Sequence, residues 1–454
     1  MDGLKVGTGG TKLDSVGLGV PASGLDYQLS YNSLQPLIGS PGSSSSSSLP
    51  CPPVNGERWQ SALPVACPTC PTGSSSSSSG CGEGFVVQEG QCPIFFAPEC
   101  GSSSSGGGPG SSSSSGARTY YRALYGADKF YSAVHDAVAG EFVVRRVTSS
   151  GDEVTRLHDF ASATPGAFKS RTEPSGIPVE TEYSNGKVGN VRRTVTANGR
   201  TTVWKMGYGY VSGRTASATL TKQVDGGSEE NIRRVVYTYT SQDTLETVTQ
   251  QEYDASTWKD ISKSYYRYYD TGSGVYPLAL KYAVGPDAYA EMVRDGLNPL
   301  TASDEQVSDY ADHYYEYEAN PASPFFGEVT KAATRDCASC GGGGGGTPGV
   351  TYSRSANPNF PAGSTDYNIW MRKTVRTLAN GVVETYYTNF AAQVMFMVMR
   401  EPAPNQARQW LTYYRYDDNA QVILTAQPSA VTGYNENQND LAVTLRAHDG
   451  LIHV

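Results

Sequence analysis

The stretch Trp410-Leu411-Thr412-Tyr413-Tyr414-Arg415-Tyr416-Asp417-Asp418-Asn419-Ala420-Gln421-Val422-Ile423-Leu424-Thr425 decides the fold. Two runs of β-branched and aromatic residues flank a polar link, Asp418-Asn419-Ala420. Period-2 runs of this kind make strands, and a short Asp/Asn link between them makes a hairpin. The same frame recurs upstream. NGVVETYYTNF (Asn380–Phe390) leads into AAQVMFMVM (Ala391–Met399), ADHYYEYEANP (Ala311–Pro321) into GEVTKAATR, and KSYYRYYDTGSG (Lys263–Gly274) into LALKYAV. RRVVYTYTSQD (Arg233–Asp243), GRTTVWKMGYGYVSGR (Gly199–Arg214), SGIPVETEYSNGKVG (Ser175–Gly189) and GDEVTRLHDFA (Gly151–Ala161) complete eight units. In the Arg233 unit, Val235, Tyr237 and Tyr239 fall on one strand face and Arg234 and Thr238 on the other.

A lone hairpin is marginal in water, so such units must pair edge to edge to bury their aromatic faces. The expected fold is therefore mainly β: consecutive antiparallel hairpin repeats forming one long sheet, curved because strands twist. A closed propeller needs blades of about 40–45 residues. The anchors Ser184, Thr240, Asp270 and Glu318 are too unevenly spaced for that.

The residues YYRYDDNAQVILTA (Tyr413–Ala426) and, more weakly, YYRYYDTGSG resemble the Rhs/YD (tyrosine-aspartate) repeat. Its consensus runs approximately Gly-…-Tyr-x-Tyr-Asp-x-x-Gly-Arg-Leu. The resemblance covers about residues 151–430 and is strongest at Tyr416-Asp417 and Tyr269-Asp270. The repeat-motif residues are Tyr237, Tyr239, Tyr268, Tyr269, Asp270, Tyr315, Tyr317, Tyr387, Tyr414, Tyr416 and Asp417. The chain departs from the consensus where Ala420-Gln421 replaces Gly-Arg, and where Glu318, Asn389 or Ser184 replaces Asp. PSAVTGY (Pro428–Tyr434) and the CASCGGG loop also resemble segments of long Rhs-repeat proteins of environmental bacteria. The resemblance implies a partial β-shell and a non-enzymatic role, cell-surface or secreted, in attachment or as part of a shell. It also implies further repeats in a longer parent chain, with a toxin domain as one associated element.

Composition separates two halves of the 454 residues. Residues 1–115 hold 27 of the 50 serines but only Tyr27 and Tyr31 of the 31 tyrosines. The runs Ser43–Ser48, Ser74–Ser79, Ser102–Ser105 and Ser111–Ser115 have nothing to bury and read as flexible coil. The expected division is a low-complexity, largely disordered leader over 1–116 and a repeat domain over 117–454. A Gly-rich loop lies at 337–349. The leader's Cys51, Cys67, Cys70, Cys81, Cys92 and Cys100 suit a small disulfide-stapled module, with a zinc knot and unpaired thiols as alternatives. Cys337 and Cys340 precede six glycines, which cannot open the helix a redox motif needs; they are candidates for a local loop bridge.

A helical insertion is expected near 286–312. Pro286 opens it and Gly296 ends its first helix, while Ser303-Asp304-Glu305-Gln306 is a capping box for a second, running to about Asp312. Tyr289, Met292 and Val293 form a stripe expected to face the sheet, with partner binding as the other reading.

No GxSxG elbow, HExxH, P-loop or paired metal spacing occurs, so no catalytic, cofactor-binding or metal residue is nominated. His135-Asp136 and His158-Asp159 are isolated dipeptides, and a spatially assembled hydrolase site is the residual enzymatic reading. The net charge of −9 argues against nucleic acid as partner. No apolar run reaches the roughly 18 residues of a membrane span. No signal peptide is visible at the N-terminus. The remaining partners are surface glycans, read from tyrosines on outward faces, and other proteins. A carbohydrate-binding β-protein is thus the alternative function, with a polysaccharide-acting enzyme behind it.

Overall fold

The computed structural model describes residues 130–272, 277–335, 349–402 and 408–454, Gly274, and short strands between residues 12 and 123. It is mostly β, with one large antiparallel sheet that does not close and two helices. The sheet starts with Val65–Pro68, Phe85–Glu89, Cys92–Pro98 and Arg118–Ala123. Each strand then pairs with the next in sequence as far as Val422–Ala426, which also receives Ile452–His453.

Tight turns set the register. Asn185-Gly186, Asn198-Gly199, Ser212-Gly213 and Ala255-Ser256 all have positive φ at both residues, the backbone of two-residue hairpins. Six strands of 10 to 12 residues follow from Lys187 to Tyr268 in five uninterrupted hairpin steps. Along them Val191, Trp204, Met206, Leu220, Val235, Tyr237 and Val248 are buried on a common core face. Period-2 alternation has done here what it predicts, with Arg234 and Thr238 on the outer face.

The sheet curls. Phe85 and Phe142 lie on strands four places apart, which a flat sheet would hold about 19 Å apart at roughly 4.8 Å per strand. Their ring centroids are 4.6 Å apart. The Ala66 amide also donates to the Gly166 carbonyl at 2.7 Å, bringing the first strand against the loop before Phe168–Thr172. Ala66, Phe85, Val87 and Phe96 are buried with Tyr121, Phe142, Leu157 and Phe168. The sheet therefore begins upstream of residue 117, the start expected for the repeat domain. Short apolar stretches such as Phe85-Val86-Val87 and Ile94-Phe95-Phe96 are masked in composition by the serine runs around them.

The outer face carries two covers. Helix α1 (Pro286–Arg294) buries Ala288 and Met292 against Tyr265, Tyr282 and Val284. Val293, expected on the same stripe, points away and is 52% exposed, because positions 288 and 292 define the contact line. Helix α2 (Asp304–Ser308) has the expected capping box: Ser303 Oγ accepts from the Gln306 amide and Gln306 Oε1 accepts from the Ser303 amide. It stops at Ser308 rather than near Asp312, since the chain must extend to enter the strand His313–Tyr317. The second cover is formed by residues from 430 to 445, which enclose Tyr387, Phe396, Val398, Leu411 and Trp370. None of the described helices is long and apolar enough to cross a membrane.

Candidate functional site

The repeat is built around one recurrent contact. From Pro178–Ser184 to Gln409–Tyr416, near the end of every second strand a side chain reaches back over the core face to a carbonyl at the start of the preceding strand. Tyr183 Oη donates to Phe168 O at 2.5 Å, Tyr210 to Val188 O at 2.9 Å and Tyr239 to Thr215 O at 2.8 Å. Tyr268 donates to Leu245 O at 2.7 Å, Tyr317 to Leu280 O at 2.8 Å and Tyr416 to Val394 O at 2.7 Å. Each of these tyrosines directly follows a shift of register against the next strand. A bulge turns the side chain out of the regular pleat, which lets the ring lie along the sheet toward its neighbour.

Two units keep the bond with different chemistry. Arg354 donates from Nη1 to Val329 O at 2.6 Å, and Thr388 Oγ1 reaches Arg372 O at 3.5 Å. Eight described donors therefore reach the same carbonyl position, Arg354 from a strand in unbroken register.

The residue after the donor closes the turn. Asp417 Oδ1 accepts from the amides of Asn419 (3.0 Å) and Gln421 (2.8 Å). Asn389 Oδ1 does the same for Ala391 and Gln393, and Thr240 Oγ1 for Gln242 and Thr244. Glu318 Oε1 accepts from the Asn320 amide. Ala420, where the consensus has glycine, takes φ 64°, the left-handed backbone that favours glycine.

This frame places each motif residue. Tyr239, Tyr268, Tyr317 and Tyr416 are the donors, and Asp417 is the turn acceptor. In the Lys263 unit the register is one residue off the consensus match. Tyr268 makes the reach-back bond, Tyr269 occupies the turn position with its amide on Ala279 O, and Asp270 lies exposed beyond it. Tyr269 instead sends its hydroxyl to Tyr315 O at 2.9 Å and meets the Tyr317 ring edge-on at 6.1 Å. Tyr237 is core, 3% exposed. Tyr414 faces Thr425 across the sheet. Tyr387 lies on the outer face against Trp370, its hydroxyl on Glu436, while its neighbour Thr388 is the donor. Cys67 and Cys92 lie on strands opposite Val86 and Glu89, but their side chains, and Cys51, Cys70, Cys81, Cys100, Cys337 and Cys340 altogether, fall outside the described residues.

Sequence reasoning passes over Arg354 and the charges around it. Glu328, 7% exposed, forms ion pairs with Arg354, Nε lying 2.8 Å from its carboxylate, and with the Arg372 guanidinium, which also lies 4.8 Å over the Phe325 ring. Arg376 pairs with Glu384 at 3.2 Å, and Tyr386 donates to the same carboxylate. Burial lowers the Arg354 pKa; Glu328 opposes that shift and Arg372 adds to it. The pairs span 44 residues from Glu328 to Arg372, so only the sheet order brings them together.

Burial also holds the phenols protonated. Those of Tyr282, Tyr386 and Tyr416 are pushed up to about 12, and those of Tyr183, Tyr269 and Tyr387 rise further. The histidine dipeptides come partly together: His135 Nε2 lies 3.8 Å from Asp159 Oδ2, and the His135 ring stacks on Phe142. Among the described residues no hydroxyl or thiol is hydrogen-bonded to that nitrogen. Desolvation lowers the His158 pKa, with Lys169 acting in the same direction. Among the described residues no group of three His, Cys, Asp or Glu could hold a metal ion.

No family model and no curated protein matches the chain. Among solved structures it is similar to Tc toxin chains. One is in the Photorhabdus luminescens Tc holotoxin pore with a TccC3 mutation, at 11% identity and TM-score 0.21 over 83% of this chain and 20% of that one. Another is in TcdB2-TccC3, at 12% identity and TM-score 0.20 over 78% and 22%. The chain thus spans about a fifth of the length of these neighbours. Superpositions this poor carry no functional argument.

Proposed function

We propose that the chain is a non-enzymatic scaffold of the Rhs/YD-repeat type, cell-surface or secreted, acting in attachment or as part of a β-shell. The observation that carries this reading is the reach-back bond. The hydroxyls of Tyr183, Tyr210, Tyr239, Tyr268, Tyr317 and Tyr416 are committed to strand carbonyls, and the turn acceptors to hairpin amides. Such groups hold a sheet together and have no proton or bond to transfer. The 117–454 segment would then be the load-carrying array, joined to the 1–116 leader by the sheet strands from Val65 to Ala123, with the cysteines stapling the leader.

Fractionation of cells that make the full chain tests this. Under the proposal the protein is found in the medium or is removed from intact cells by external protease. Retention inside intact, protease-treated cells would overturn it.

A further inference from the structure

On the outer face, at the tip of the hairpin formed by Leu245–Asp254 and Thr257–Tyr268, two aromatic residues oppose each other directly. Tyr253 and Trp258 are cross-strand partners with ring centroids 4.9 Å apart and planes inclined at 59°. Tyr253 is 37% exposed. Two residues further along both strands stand Gln251 and Asp260, also opposite each other, and Arg234 faces Gln251 from the neighbouring strand. Period 2 puts all five side chains on one face, away from the buried Val235, Tyr237 and Val248.

Their polar groups form a chain. Arg234 Nε donates to Gln251 Oε1, Gln251 Nε2 donates to Asp260 Oδ1 at 2.5 Å, and the Arg234 guanidinium lies 4.5 Å over the Trp258 ring. The result is a tilted pair of rings beside a fixed row of guanidinium, amide and carboxylate. Within the row the charges of Arg234 and Asp260 cancel.

We infer that this patch binds a neutral pyranose saccharide, and the inference rests on the attachment reading above. A pyranose offers an apolar C–H face and a rim of hydroxyls that both donate and accept. The exposed Tyr253 ring, backed by Trp258, suits the first, as amphipathic aromatic anchors do at interfaces. Planar donors and acceptors already fixed by one another suit the second, because little side-chain freedom remains to be lost on binding. The internal charge balance favours a neutral ligand over a phosphate or an acidic polymer. An alternative is that the row serves only to hold the hairpin tip together.

Saturation-transfer difference NMR on the full chain with cellohexaose and chitohexaose separates the two. Saccharide binding predicts transfer to the ring C–H protons of at least one hexasaccharide, and binding weakened about tenfold in Tyr253→Ala, the cost of losing one aromatic contact. Tyr253 is the exposed partner, so this variant should keep its far-ultraviolet circular dichroism and its thermal unfolding midpoint. Trp258→Phe, which keeps a ring, gives an intermediate loss. Absence of transfer to either sugar at about 10 mM, a concentration that fills even a millimolar site, would overturn the inference. So would transfer unchanged in Tyr253→Ala. Either failure leaves the cell-fractionation result, and with it the scaffold reading, untouched.

Discussion

At the scale of single residues, the tyrosine hydroxyls do two jobs: each donates a hydrogen bond and each must stay protonated to do so. For Tyr416 burial raises the pKa to about 12 from the ordinary 10.0. The unfolded chain therefore gives up this proton first as pH rises. Stability from this group is fully present below pH 10 and is lost as pH rises toward 12. Denaturant unfolding followed across that range should show a steep alkaline loss. Tyr416→Phe should cost about 1 kcal/mol near neutral pH, the net worth of one hydrogen bond, and should then lose stability less steeply with alkali than the parent chain. An equal alkaline slope in both proteins would show that Tyr416 is not one of the groups responsible.

At the scale of elements, Arg354 stands where other units have a tyrosine, and its second role is to neutralise Glu328. Removing one partner of a buried ion pair leaves the other charge uncompensated, at about 3–5 kcal/mol. Glu328→Gln strands two guanidiniums, Arg354 and Arg372, and should fall in that range. Arg354→Met leaves Glu328 paired with Arg372 and should cost less, about 1–3 kcal/mol for the lost bond to Val329 O and the lost charge. The double variant should be more stable than the two losses added together, with a coupling of about 1 kcal/mol or more by a double-mutant cycle. Additive losses would mean that Arg354 acts only through the Val329 carbonyl.

The same unit shows what was legible in the sequence. Hairpins were, because alternation and Asn-Gly or Asp-Asn links act over a few residues. The capping box at Ser303 was, for the same reason. The donor position was not fully legible, because geometry there selects a group that can reach and donate to the preceding strand's carbonyl rather than one residue type. Arginine at 354 and threonine at 388 meet that need without resembling tyrosine. Where several tyrosines adjoin, as in Tyr265-Tyr266-Arg267-Tyr268-Tyr269-Asp270, the Tyr-Asp match falls one residue late. Glu328 and its arginines were invisible because sequence proximity does not report neighbours in a sheet.

At the scale of the whole molecule, the sheet is continuous but its buried side chains are not. One cluster runs from Ala66 to Phe168, another from Val191 to Tyr352, and a third from Trp370 to Leu441, most of it on the opposite face. Arrays in which each unit touches mainly its neighbours unfold as a sum of local and interfacial terms. The backbone ladder crosses these boundaries, yet hydrogen bonds alone add little net stability, so cooperativity should follow the apolar clusters. Phe85 tests this, being 1% exposed and in contact with Phe96, Tyr121 and Phe142 at 4.9, 4.9 and 4.6 Å. Phe85→Ala should cost about 3–5 kcal/mol locally. Amide hydrogen exchange should then quicken in the strands from Val65 to Thr172 and stay unchanged in Val394–Arg400 and Gln409–Tyr416. A uniform rise along the chain would instead show that the curled sheet unfolds as one unit, with the strands themselves carrying the coupling between clusters.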